Sequence, residues 1–95
     1  DDADRALAYA TDRLAEERVH DDGGVSTLDP DGLPHELVRR LVLRIIEQAG
    51  DPSPRGEALE RAIAALIGGQ KVSLGGMIAT GGAIWRFTKA PPRRT

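Results

Sequence analysis

The chain has 95 residues, no cysteine and a formal net charge of −2. It is long enough for one domain with a modest core, and it excludes disulfide frameworks, thiol nucleophiles and cysteine-based zinc sites. Tyr9, Trp85 and Phe87 are the only aromatic residues, so the core is expected to be built from Leu, Ile, Val and Ala. The longest apolar run, Leu41 to Ile46, contains Arg44 and falls far short of a bilayer span, so no membrane role is expected. The acidic opening Asp1-Asp2-Ala3-Asp4 is unlike a signal peptide, and a cytoplasmic setting is the expectation.

Apolar residues at Ala3, Leu7, Ala10 and Leu14 recur at helical spacing and predict an amphipathic helix over 3–19, with Asp2 as its N-cap. Residues 20–33 collect Gly, Asp and Pro and read as a loop in which Val25–Leu28 forms a brief extended piece. Asp29, Asp31 and Gly32 resemble part of a calcium loop, but Arg40 stands where the bidentate glutamate belongs, so a turn is the better reading. His20, Asp21 and Asp22 lack the convergence of three or four ligands that a metal needs, and read as solvated.

Pro34 opens a second helix that runs to about Ala49. Its wide stripe of Leu37, Val38, Leu41, Val42, Ile45 and Ile46 marks it as the most buried. After the break at Gly50–Pro54, Ser53 is expected to cap a third helix with Pro54 at its first position. Leu59, Ile63, Leu66 and Ile67 share one face of that helix, and Gly68-Gly69 stops it. Lys71–Leu74 then reaches a bend or bulge at Gly75-Gly76. Met77–Thr80 and Ala83–Phe87 flank Gly81-Gly82, a pair suited to a two-residue hairpin turn. Strand alternation puts Trp85 and Phe87 on one face as core anchors, and Ile84 with Arg86 on the other. The expected fold is mainly α: three helices followed by a two- or three-stranded antiparallel curl, with residues 90–95 as a flexible tail.

Chemistry is sparse. Gly68-Gly69-Gln70-Lys71-Val72-Ser73 has neither the spacing nor the strand-to-helix placement of a phosphate-binding loop, and no serine, histidine and acid suggest a triad. Charge is divided along the chain: residues 1–33 hold ten acids against three bases, and residues 34–95 hold ten bases against five acids. The basic part permits contact with a phosphate backbone. Arg39, Arg40 and Arg44 suit such contact, although a solvated helix face explains them equally well.

The order Leu33-Pro34, Arg39-Arg40-Leu41, Pro54-Arg55 leading into Leu59, Leu74-Gly75-Gly76 and Trp85 resembles the region after the catalytic domain of bacterial tRNA(Ile)-lysidine synthetases, PP-loop ATPases once labelled cell-cycle proteins. The resemblance implies a parent enzyme that uses ATP to adenylate the wobble cytidine of an isoleucine tRNA with a CAU anticodon and then joins lysine to it. The SGGxDS loop on which that reaction depends does not occur here. Ser73-Leu74-Gly75-Gly76-Met77 is the nearest string and lacks the aspartate and second serine, so no catalytic residue carries over. ATP and magnesium are expected in a missing catalytic domain.

Residues 1–95 are then expected to form one accessory domain of a longer chain, with the acidic helix over 1–20 as a linker. Its partners would be the tRNA and the catalytic domain. Candidate phosphate contacts are Arg39, Arg40, Arg44, Lys71, Arg86 and Lys89. The rival reading is a protein-interaction or dimerisation module that docks through the acidic helix and an exposed apolar stripe.

Overall fold

A computed structural model describes residues 2–51, 54 and 56–90. Its elements are α1 (Asp2–Arg18), β1 (Val19–Asp22), β2 (Val25–Leu28), α2 (His35–Gln48), α3 (Gly56–Ile67), β3 (Lys71–Leu74), β4 (Met77–Thr80) and β5 (Trp85–Lys89). The three expected helices are present, followed by the C-terminal antiparallel curl of β3, β4 and β5. The Ser53 cap and the tail beyond Ala90 lie outside the described residues.

Within residues 20–33 the expected extended piece at Val25–Leu28 is a strand, and residues 29–33 form a turn as expected; the departure is at residues 20–22, expected as loop and found in a strand. Val19–Asp22 and Val25–Leu28 pair as a hairpin about Gly23-Gly24, and β2 then pairs with β5. The curl thereby becomes one side of a five-stranded sheet in the order β1-β2-β5-β4-β3, antiparallel at every junction. Val25-Ser26-Thr27-Leu28 has strand chemistry of its own, and the open edge of β5 supplies the partner that local sequence cannot show.

The two tight connections also differ from expectation. Leu74 pairs with Met77, so the two-residue hairpin turn is at Gly75-Gly76. The β4–β5 connection is the longer segment Gly81–Ile84. Gly81 is needed for proximity: its amide donates to the Gln70 carbonyl at 2.9 Å, and a Cβ there would overlap the Leu66 carbonyl oxygen.

α2 and α3 cover one face of the sheet. Val38, Leu41, Val42, Ile45 and Ile46 of α2 and Leu59, Ala62, Ile63 and Leu66 of α3 meet Leu28, Leu74, Met77, Ala79, Trp85 and Phe87 in one core. Trp85 is 2% and Phe87 0% exposed, as alternation requires. Ile67, expected on the same stripe as Leu66, is 67% exposed, because it closes the last turn of α3 at the margin of the buried stripe. Beyond it Gly69, at φ 78°, turns the chain: Gly69 and Gln70 donate to the carbonyls of Leu66 and Ala65, a Schellman stop. α1 is peripheral. Its one buried residue is Thr11, with Leu14 and Ala15 against the edge of the core. No helix among the described residues is long and apolar enough to cross a membrane.

Candidate nucleic-acid interface

The buried stripe of α2 leaves Arg39, Arg40 and Arg44 on its rim, where the fold uses each of them. Arg39 lies 3.8 Å from Glu36 and 3.4 Å from Glu60, tying α2 to α3. Arg40 donates to Glu36 at 3.2 Å, one turn away. Arg44 pairs with Asp12 and ties α2 to α1. Lys89 donates to the Ala49 carbonyl at 2.9 Å and stands 3.5 Å from Asp51, so its ammonium satisfies the carbonyl end of α2.

Lys71 and Arg86 are placed differently. Both are exposed strand residues, and neither forms an ion pair among the described residues. Arg86 alternates with the buried Trp85 and Phe87, which turns it to the face that the helices do not cover. Register then sets a row across that face: Lys71 opposite Thr80, Thr80 opposite Arg86, Arg86 opposite Thr27, and Thr27 opposite His20. Lys71 and Arg86 are two strand spacings apart, roughly 10 Å. Two free cations, two threonine hydroxyls and an imidazole thus share one row, with no carboxylate in it.

Lys71 and Arg86 are among the candidates that the sequence offers, whereas Thr27, Thr80 and His20 become their neighbours only through strand pairing. The signal for the hairpin was present in the Val/Ser/Thr run after Gly23-Gly24. His20 and Asp21 now stand on opposite faces of β1. Asp21 accepts from the Ser26 hydroxyl at 2.5 Å, and His20 faces outward beside Thr27. Asp29 and Asp31 form a turn in which the Asp31 amide donates to Asp29 Oδ1 at 3.1 Å. Arg18 closes it by donating to the Asp31 carbonyl at 2.8 Å.

The glycine run after α3 is not a phosphate-binding loop. Gly68-Gly69 ends a helix and leads into a strand, so the helix end beside it is the carbonyl end, which repels phosphate. No group of three or more His, Asp or Glu residues is gathered to hold a metal among the described residues.

Two curated relatives align along almost the whole chain. The tRNA(Ile)-lysidine synthase of Zymomonas mobilis is 44% identical over 93 residues, which is 97% of this chain and 28% of the relative. That of Novosphingobium aromaticivorans is 36% identical over 96 aligned positions, 99% of this chain and 29% of the relative. The chain belongs to the tRNA(Ile)-lysidine synthase family. It spans under a third of the length of these synthases. No protein-family model and no solved structure matches it.

Proposed function

We propose that this chain is a non-catalytic accessory domain of a longer tRNA(Ile)-lysidine synthase, lying after the catalytic domain, and that it holds the tRNA by its phosphate backbone. The observation that carries this reading is the uncovered sheet face with its unpaired Lys71 and Arg86, in a chain whose relatives are named for a tRNA. Arg39, Arg40, Arg44 and Lys89 belong to the same proposed set but rank lower. Each would have to give up a contact within the domain before meeting a phosphate.

Contacts of this kind orient a tRNA without reading its bases. Lysine transfer to the wobble cytidine, with ATP and magnesium, is assigned to the part of the parent outside these residues, and a cytoplasmic location follows from the tRNA substrate. The test is tRNA binding by the full-length parent. Lys71→Ala/Arg86→Ala is expected to weaken binding by about tenfold or more, given that phosphate contacts dominate such affinities, while Arg40→Ala leaves it within a factor of about two. The reverse ranking would move the interface to α2.

A further inference from the structure

A cleft of about 590 Å³ opens where the β2–α2 connection, the end of α3 and the β4–β5 loop converge. Val38 and Trp85, both buried, form its floor, and Leu33, Ile67 and Ala83 its walls. Ile67 at 67% and Ile84 at 47% are two of the exposed large hydrophobic residues of the domain, and Ile84 adjoins the wall residue Ala83. His35, 2.7 Å from Glu60, with Arg39 3.4 Å from the same carboxylate, makes a polar margin on one side. An apolar centre inside a polar rim is how protein interfaces are built.

We infer that this cleft seats an apolar segment of the parent chain from outside these 95 residues, docking the rest of the synthase against the end of α3. The inference rests on the reading that the chain is part of a longer synthase, and it does not depend on tRNA contact at the sheet.

Three observations select this occupant. The floor and walls of the cleft are mainly aliphatic, and the floor ring, Trp85, is 2% exposed and offers no face for a base to stack on. The other ring, His35, is at the margin and engaged by Glu60, and the Asp31 carboxylate among the lining residues disfavours a phosphate, whereas branched side chains fit such walls. The site takes only a few side chains, far less than the roughly 800 Å² per partner of a stable interface between separate proteins. A tethered segment needs no such area, because the tether holds it at a millimolar effective concentration. The two relatives supply the tether: each carries this unit within a chain more than three times as long.

The test uses thiol labelling of the full-length parent without tRNA, resolved by peptide mass mapping. Ile67→Cys and Ala83→Cys are compared with Arg61→Cys, whose native side chain on the same helix is 80% exposed. The thiols introduced at 67 and 83 are expected to react about tenfold more slowly than the one at 61, since access controls thiol reactivity. Adding Ile67→Asp to the Ala83→Cys variant is expected to restore fast labelling. Equal rates at all three positions overturn the inference. Protection lost on dilution assigns the cleft to a second copy, and protection that appears only with tRNA assigns it to RNA; either also overturns it. Loss of tRNA binding by the sheet variants leaves these rates unchanged, so the two readings fail separately.

Discussion

Gly81 and Phe87 show how much single residues hold this small domain together. Phe87 is fully buried between β2 and β4, and Phe87→Ala is expected to cost about 3–5 kcal/mol, a large part of the stability of a domain this size. Gly81→Ala pushes a methyl into the Leu66 carbonyl and is expected to cost about 1–3 kcal/mol by overpacking. Arg44→Ala removes only a partly exposed pair with Asp12, worth under about 1 kcal/mol. Urea denaturation of the three variants checks the order, and an Arg44→Ala loss equal to that of Phe87→Ala would contradict it. The burial of Trp85 and Phe87 was legible from alternation alone. The exposure of Ile67 was not, because a helical stripe does not reveal where the surface that it packs against ends.

At the scale of elements, α2 was the most legible, since its apolar stripe is wide and continuous. The β1–β2 hairpin was the least legible. Its strands are four residues each, and the acids of β1 carry no apolar alternation. Its place comes from pairing with β5, a partner some sixty residues away in sequence, and such pairing is written in the fold rather than in any local window. The glycine pairs separate the strands, as their composition implies. Their geometries were exchanged, because Gly-Gly suits a tight turn and a close approach equally. α1 is amphipathic in pattern yet buries only Thr11. Its backbone amides are expected to exchange with solvent by local opening well before those of α2, and equal protection of the two helices would show that α1 is part of the cooperative core.

Across the whole molecule, charge is sorted by contact rather than by sequence. The arginines of α2 are matched by Glu36, Glu60 and Asp12, which leaves Lys71 and Arg86 as the cations on the open sheet face. Sequence alone ranked all the basic candidates together, because an ion pair between residues far apart, such as Arg44 with Asp12, is invisible before folding. Lys71 also lies on an edge strand, where a lysine discourages pairing with another sheet. Only a measurement specific to phosphate separates that role from RNA contact. The most direct is the salt dependence of tRNA binding by the full-length synthase. The predicted result is a steep fall of affinity with salt, with Lys71→Ala and Arg86→Ala each lowering the logarithmic slope by about 0.7–0.9, one phosphate contact apiece. An unchanged slope in both variants would contradict the account.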